Sequence, residues 1–549
     1  MPRMIESIPA PAAPQADPPP PHLVPAQPVS ANQRLGAMDL LRGFALCGIL
    51  LMNIVNFAWP GGAYTSVTFP YYSLQSIGEV PDPEIRDKEI AKAEKDFNRK
   101  QKDKNRKQRE LEPKPQYALG DLRWCAVSSD ADLYEYAFAD LLVDNKMRTL
   151  FSMLFGAGVI LMADHSKGKR NRPGWLHYRR MFWLLVLGAA HGYLLWTGDI
   201  LFAYAAIGLW LYPLRKLRAR WLCALGLGLL LTPLAIAWFA PNVIEWVKEK
   251  GRAVEQNLEA IEKQTAENPP TSPDNSAPQE SAVEPEKDEL YWLDAKLLAG
   301  YRALDAMRKR GPRPDLVTLD IRKQRTQTYS EGVVERFWDL IWAQLAELIV
   351  LGFLALGWPM VLGMALMKLG FFTGNWTTKS YGWWTVCLYV IGIPMTWWAL
   401  ILSTQGGNSV ATQVRMILPL EWIGSLLLTL ANASALLWLW KTNRINWLAS
   451  RLQAAGQMAL SNYLFDSLLC SFIFSGYGLA FYGTIPRVGL AALVAAIWVF
   501  QLTISPWWLE HFRFGPVEWL WRSLTYWKIQ PLSLVSSPKI QPQEPISAS

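Results

Sequence analysis

Two residues near the end of a long apolar segment have side chains suited to proton transfer. His191 and Asp199 occur in GAAHGYLLWTGDILFAYA, on either side of a polar turn made by Thr197 and Gly198. A carboxylate beside an imidazole fixes the tautomer of the ring and raises its basicity, which suits general-base chemistry at neutral pH. We therefore predict a catalytic pair in which Asp199 orients His191. The alternatives are a helix cap for Asp199 and an interhelical hydrogen bond for His191.

A second polar group follows one face of the apolar segment MDLLRGFALCGILLMNIVNF. On a helix, Arg42, Asn53 and Asn56 point within roughly 60° of one another and span about 20 Å. Ionisable groups at membrane depth cost roughly 2.5 to 3.5 kcal/mol each, so this stripe should face the interior of a helix bundle. Together with Asp39, these residues are candidate substrate contacts. The alternative is that Arg42 snorkels to the interface while the asparagines bridge helices.

Two further pairs of polar residues are candidate substrate contacts. Asp466 lies within the apolar segment GQMALSNYLFDSLLCSFIF, and Asn462 precedes it by one helical turn on the same face. An aspartate in mid-membrane needs a partner, so we expect a protonated carboxyl or a paired arginine, with a packing role equally open. Asp144 and Lys146 precede another apolar segment, where they would bind a polar substrate or form a hydrated helix end.

The segments that carry these residues have the length and composition of membrane-spanning helices. Of 549 residues, 51% are hydrophobic, and 28 are tryptophan, which favours the membrane interface. Several stretches approach the roughly 20 apolar residues that cross about 30 Å of hydrocarbon. We predict an all-α, polytopic transmembrane bundle of about ten helices. They are expected to begin near residues 39, 147, 181, 199, 221, 343, 383, 417, 457 and 487.

Basic loops orient this bundle. The short segments 167–180, 215–220 and 441–451 are rich in Lys and Arg, which is typical of cytoplasmic loops. We therefore expect both termini in the cytoplasm and a location in a bacterial cytoplasmic (inner) membrane. In this topology His177 lies in a basic loop, and His191 is the only histidine inside a membrane helix. The formal net charge of +8 follows from this topology, so no nucleic-acid partner is expected.

Two hydrophilic insertions divide the chain. The first, 80–116, is densely charged and has no apolar face, as expected of a solvated spacer. The second is rich in proline and favours partial disorder outside the membrane. The five cysteines suggest neither a disulfide framework nor a metal site, and we expect no metal and no bound cofactor. The expected regions are a disordered tail (1–33), helices one to five (34–240), the second insertion (241–335), helices six to ten with an interfacial helix (336–528), and a second tail (529–549).

The chain resembles the YeiB-like family of bacterial membrane proteins, which is defined by a C-terminal domain of unknown function, DUF418. Five motifs carry the resemblance: MDLLRGFALCGILLMNI at 38–54, LFSMLFGAG at 150–158, HGYLLWTGDILFAYA at 191–205, GQMALSNYLFDS at 456–467 and FRFGPVEWLWRSLTY at 512–526. The family pattern tends to have glutamine where Asp466 stands. Through the D-x-x-R-G start of helix one, the family is distantly similar to transmembrane acyltransferases such as heparan-alpha-glucosaminide N-acetyltransferase.

That similarity implies an acyl group taken from a cytoplasmic CoA thioester, with acetyl-CoA as cosubstrate, and passed to an extracytoplasmic hydroxyl or amine. The acceptor would be a glycan, a lipid or a small molecule. His191 would then act as general base or transient acyl carrier, Asn53 would stabilise the oxyanion, and Arg42 would bind the donor phosphates. A transporter or flippase, in which the same stripe lines a solute path, is the main alternative. A non-enzymatic membrane scaffold is the third.

Overall fold

The computed structural model describes residues 36–60, 129–165, 173–267, 294, 296–298, 314–349, 356–404 and 413–534. Within these ranges the structure contains fifteen α-helices and one π-helical turn, which confirms the all-α prediction. The tail 1–33 and the charged insertion 80–116 lie outside the described residues. In chain order the helices are α1 (Gly36–Ala58), α2 (Asp130–Leu142), α3 (Lys146–His165), α4 (Pro173–Leu194), α5 (Leu201–Leu214), α6 (Ala219–Glu267), α7 (Pro314–Thr326), α8 (Tyr329–Ile349), α9 (Trp358–Lys368), α10 (Thr378–Thr404), α11 (Leu418–Lys441), α12 (Asn446–Gln457), α13 (Ala459–Phe474), α14 (Arg487–His511) and α15 (Pro516–Tyr526).

Five helical segments are long and apolar enough to cross a membrane, so the protein associates with a lipid bilayer as a multi-pass helical protein. These candidate spans are Gly36–Ala58, Asp130–Ala163, Thr378–Ser403, Arg415–Lys441 and Arg487–His511. Three shorter apolar helices accompany them in the part of the chain that the structure describes: Leu201–Leu214, Ala219–Ala235 and Ala459–Phe474.

Helix α1 lies at the centre of the bundle and packs against α3, α11, α12, α13 and α14. Its contact with α12 is a backbone contact made possible by two glycines. A Cβ atom on Gly43 would lie 1.9 Å from the carbonyl oxygen of Leu452, and one on Gly456 would lie 2.0 Å from that of Asp39. Small residues at such crossings let membrane helices approach closely. This crossing fixes the N-terminal half of α1, which carries Asp39 and Arg42.

Helices α4 and α5 form a hairpin that is closed by a short turn. Gly188 on α4 faces the first residues of α5, and a Cβ there would lie 2.3 Å from the backbone nitrogen of Phe202. The backbone N–H groups of Leu195 and Trp196 both donate to the carbonyl of His191 as α4 ends. The turn therefore brings Asp199 back beside the last turn of α4.

The structure corrects several predicted boundaries. Helix α4 begins at Pro173, so the predicted loop 167–180 ends in a helix and His177 is buried inside the bundle. Residue 240, the predicted domain boundary, lies inside α6, a helix of 49 residues in all. A helix of that length extends about 70 Å, more than twice the hydrocarbon thickness. The helix expected to begin near 343 begins at Tyr329 and is followed by the separate helix α9.

Residues 529–534, predicted as the start of a disordered tail, pack against the end of α14 and against α15. The backbone N–H of Arg513 donates to the carbonyl of Leu532, and the indole N–H of Trp519 donates to that of Gln530 at 2.7 Å. These hydrogen bonds fix a segment whose composition alone suggested disorder. Residues 535–549 of the predicted tail lie outside the described residues.

Candidate functional site

His191 and Asp199 form a buried pair at the α4–α5 turn. Nδ1 of His191 lies 2.7 Å from Oδ1 of Asp199, and both side chains are at most 2% exposed. Asp199 also accepts the backbone N–H groups of Leu201 and Phe202, at 3.1 and 2.7 Å. Both predicted roles of Asp199, the helix cap and the histidine partner, are thus compatible in one side chain. A carboxylate on Nδ1 favours the tautomer that leaves the Nε2 lone pair available.

The second ring nitrogen of His191 is buried and has no hydrogen-bond partner among the described residues. Its ring lies 5.1 Å from that of Tyr463 on α13, measured between centroids. A buried, unpaired polar atom is costly, and such atoms concentrate where a ligand completes the hydrogen bonding. Nε2 of His191 is therefore the atom of the pair that is left for a ligand to bond.

One cavity, here called the inner cavity, runs along the N-terminal half of α1 and has a volume of about 270 Å³. Its apolar wall includes Leu46, Leu154 and Leu184, and Tyr463, the ring neighbour of His191, also lines it. Such a wall suits a narrow, largely apolar ligand segment.

The polar end of the inner cavity carries three arginines: Arg42, Arg180 and Arg522. Arg42 donates to Asp39 at 2.8 Å, and the guanidinium of Arg180 lies over the ring of Trp521 at 4.4 Å. Arg42 and Arg522 are both close enough to Arg180 for their charges to repel its own. Three guanidinium groups held together favour an anionic ligand, above all one with several phosphates.

Glu518 on α15 also lines this polar end of the inner cavity, here called the arginine mouth. Its carboxylate, however, forms hydrogen bonds with the start of α13. Its oxygens accept the backbone N–H groups of Leu460, at 2.6 Å, and Ser461, at 3.1 Å, together with the Ser461 hydroxyl. Burial raises the pKa of Glu518, and the hydrogen bonds from Ser461 act in the opposite direction. This contact anchors α15, and with it Arg522, against the bundle.

A second cavity, the outer cavity, follows the C-terminal half of α1 and has a volume of about 600 Å³. Asn53, Asn56 and Asp199 contribute to its wall. Ile49 and Ile200 line both the inner and the outer cavity. Asp199 thus lines the outer cavity and Tyr463 lines the inner one, whereas His191 contacts both residues but lines neither cavity.

Comparison with known proteins finds a family match in one part of the chain. The model of the family described as "Protein of unknown function (DUF418)" matches residues 366–528. Residues 366–528 are a DUF418 region. The uncharacterized protein YxaH of Bacillus subtilis (strain 168) is 25% identical over 514 residues, covering 92% of this chain and 98% of its own. The uncharacterized protein YeiB of Escherichia coli (strain K12) is 26% identical over 495 residues, covering 90% of this chain and 96% of its own.

These relatives confirm the resemblance seen in the sequence motifs, because the similarity extends over most of the chain. An uncharacterized 39.9 kDa protein from the amylase 3' region of Bacillus acidopullulyticus is 37% identical over 87 residues, or 16% of this chain. No solved structure matches the chain. The DUF418 region contributes Tyr463, Glu518 and Arg522 to the inner cavity, whereas His191 and Asp199 precede it.

Two candidate residues of the DUF418 region lie away from both cavities. Asp466 accepts a hydrogen bond from the side-chain amide of Gln501 on α14 at 2.6 Å, so this partner is an amide and not an arginine. Asn462 donates to the hydroxyl of Ser505 at 3.1 Å and to the carbonyl of Ala455. Both side chains are buried between α13 and α14. Their contacts are those of a polar packing interface.

Asp144 and Lys146 also lie apart from the two cavities. Lys146 is 4% exposed, and its ammonium donates to the backbone carbonyl of Asp140. The backbone carbonyl of Lys146 accepts the hydroxyl of Thr429 on α11 at 3.1 Å. One carboxylate oxygen of Asp144 is buried without a partner in the described ranges. A hydrated helix end, one of the sequence interpretations, is therefore wrong for Lys146.

Sequence reasoning missed several residues of both cavities. Arg180 was assigned to a basic loop, although the motif HYRR continues directly into an apolar helix. Arg522 lies in the motif FRFGPVEWLWRSLTY, which predicted no ligand contact. Gln324 and Gln327 line the outer cavity and belong to the insertion predicted to be partly disordered. No motif signalled these contacts, because they depend on how distant segments pack.

Proposed function

We propose that the protein is a membrane acyltransferase that transfers an acyl group from a CoA thioester, such as acetyl-CoA, to a hydroxyl or amine acceptor. The observation that carries the proposal is the buried His191–Asp199 pair, of which Asp199 lines one of two cavities along α1 while Tyr463, beside the His191 ring, lines the other. A reaction between molecules that reach a membrane protein from opposite sides needs such an arrangement. With both termini in the cytoplasm, the arginine mouth faces the CoA pool and the outer cavity faces the acceptor.

In this mechanism Arg42, Arg180 and Arg522 bind the phosphates of the donor, and the acyl-bearing arm extends along the apolar wall toward Tyr463. Nε2 of His191 takes the proton of the acceptor hydroxyl or amine as that group attacks the thioester carbonyl. The carbon–sulfur bond breaks, a carbon–oxygen or carbon–nitrogen bond forms, and His191 returns the proton to the departing thiolate. Asn53 would donate to the developing oxyanion. A two-step route, with the acyl group carried on His191, uses the same groups.

The proposal is tested by turnover with purified, detergent-solubilised protein. Acetyl-CoA and longer acyl-CoA thioesters are incubated with a panel of hydroxyl and amine acceptors, and both free CoA and the acylated product are measured. His191→Ala should lower turnover at least about 100-fold, the lower end of general acid–base effects. His511→Ala is the matched control, because His511 is exposed and its ring nitrogen bonds to the carbonyl of Trp507 in its own helix. Full transfer by His191→Ala would refute the proposal.

A transporter is the competing function, and one observation favours it. The two cavities lie in line along α1 and share the side chains Ile49 and Ile200, as a solute path closed at its centre would. Solute flux in proteoliposomes without acyl transfer would support this function. Consumption of acyl-CoA matched by an acylated product would support the enzyme.

A further inference from the structure

The outer cavity has a wall formed by the end of the second hydrophilic insertion. Gln324 on α7, Gln327 between α7 and α8, and Glu335 on α8 line it together with Asn53 and Asn56 on α1. Its volume of about 600 Å³ lies within the range of small-molecule sites. Four carboxamide side chains from two separate parts of the chain thus face one space.

Hydrogen bonds to backbone carbonyls fix α7 and α8 to the membrane helices. The Arg336 guanidinium donates to the carbonyls of Tyr193 and Leu194, at 3.1 and 3.2 Å, where the end of α4 leaves carbonyls unpaired. The carbonyl of Gln324 accepts the N–H of Gly476 at 2.9 Å, just beyond α13. The wall is therefore fixed in place, by Gln324 on α7 and by Arg336 on α8.

Charged groups along this wall are largely compensated by the protein itself. Glu335 accepts from the ammonium of Lys323 and from the amide of Gln327, and Arg336 is directed to the α4 carbonyls. Asp199 is occupied by His191 and by the α5 cap, while Asp339 lies at the exposed rim. Arg148 on α3 also lines the cavity, and its guanidinium donates to the side-chain oxygen of Asn145. The other groups left to a ligand are mainly amides and hydroxyls, which donate and accept without a net charge.

We propose that the outer cavity binds the acceptor, that the acceptor is an uncharged molecule with several hydroxyl groups, and that Gln324 and Gln327 select it. This inference rests on the proposed acyl transfer only in that the bound molecule is taken to be the acceptor. Its binding is measured separately from the reaction. Amides match vicinal hydroxyls because each amide offers both donors and an acceptor. An apolar alcohol would leave these half-buried amides unpaired, a cation would meet Arg148, and an anion would meet Asp199 and Glu335.

Binding is tested in the His191→Ala background, so that no transfer is required. Ser475, a residue of the cavity wall, is changed to cysteine, and its reaction with a maleimide is followed by mass spectrometry of the labelled peptide. Methyl α-D-glucopyranoside should slow the labelling, whereas choline and 1-octanol at the same concentration should not. Ser450→Cys, exposed on α12, is the control and should be labelled at one rate throughout.

The role of the wall is tested by adding Gln324→Ala or Gln327→Ala to this protein. Each should weaken the protection by methyl α-D-glucopyranoside about fivefold, the value of one lost neutral hydrogen bond. Thr326→Ala is the matched control, because Thr326 is exposed at the end of α7, next to Gln327, and bonds to the carbonyl of Arg322 in its own turn. Thermal unfolding of each variant shows whether the fold is retained, and Gln327→Asn keeps an amide should Gln327→Ala unfold.

The outcomes separate this inference from the proposed function. Protection by 1-octanol or choline alone, or by none of the probes, would overturn the inference, as would equal losses in Gln327→Ala and Thr326→Ala. Acyl transfer by the wild-type protein to an apolar alcohol alone would overturn this inference but would still support the proposed acyltransferase function. Protection by the glucoside in a protein that never transfers acyl groups would support the binding site and refute the transfer.

Discussion

Oδ1 of Asp199 lies at hydrogen-bond distance, 2.7 Å, from Nδ1 of His191. The same carboxylate accepts hydrogen bonds from the first two backbone N–H groups of α5. The orientation of the imidazole is thereby tied to the start of a helix. A rotation of the Asp199 side chain would cost both the cap and the histidine contact. The pair is therefore held in one geometry before any substrate arrives.

This double role predicts different effects for two Asp199 variants. Asp199→Asn retains an oxygen that can accept from α5 but loses the charge that stabilises a protonated imidazole, so turnover should fall about 100-fold or more. Its thermal unfolding should remain close to that of wild type. Asp199→Ala should in addition lose about 1 kcal/mol of stability with the cap. If both variants lost stability equally and kept their turnover, a purely structural role would be the correct one.

The arginine mouth predicts a defect in donor binding. Arg42→Gln and Arg522→Gln should each raise the KM for acyl-CoA about tenfold or more, the effect of losing a charge-assisted hydrogen bond, with a smaller change in kcat. The difference in KM should become smaller as salt is added, because salt screens the attraction that each arginine contributes in the wild type. Arg220→Gln, at an exposed site on α6 that lines neither cavity, is the control and should leave the KM unchanged. A lower kcat at constant KM would contradict donor binding.

Close helix contacts predict a contrast between two neighbouring glycines of α3. A Cβ on Gly156 would lie 1.9 Å from the carbonyl oxygen of Met360 on α9, whereas one on Gly158 would meet nothing within 4 Å. Gly156→Ala should therefore force α3 and α9 apart and lower the free energy of unfolding by about 1 to 3 kcal/mol. The midpoint of thermal unfolding and the yield of folded protein should both fall. Gly158→Ala should match wild type. Equal behaviour of the two variants would show that α3 and α9 do not cross here.

Local patterns in the sequence predicted much of the fold because they depend on neighbouring residues. Apolar length predicted the helices, and the 3.6-residue period placed Arg42, Asn53 and Asn56 on one side of α1, which is the side that lines both cavities. The eight-residue spacing of His191 and Asp199 across a turn likewise suggested their contact. Each of these inferences needs only the geometry of a helix or a hairpin.

The remaining parts of the site depend on contacts between distant segments. Arg180, Arg522 and Gln324 reach the cavities only through the packing of α4, α15 and α7, and their local sequences resemble ordinary basic or polar surface. Periodicity also could not separate a polar residue that faces a cavity from one that faces another helix. Asp466 and Arg42 are both polar groups in apolar helices, yet only Arg42 lines a cavity.

The placement of Asp466 predicts that its charge is dispensable. Its carboxylate accepts the amide of Gln501 at 2.6 Å between α13 and α14, a hydrogen bond that an asparagine oxygen can also accept. Asp466→Asn should therefore keep both transfer and thermal stability near wild type. Asp466→Ala leaves the Gln501 amide without this partner and should cost about 1 to 3 kcal/mol of stability, with turnover per folded molecule unchanged. A large loss of turnover in well-folded Asp466→Asn would instead place this carboxylate in the reaction.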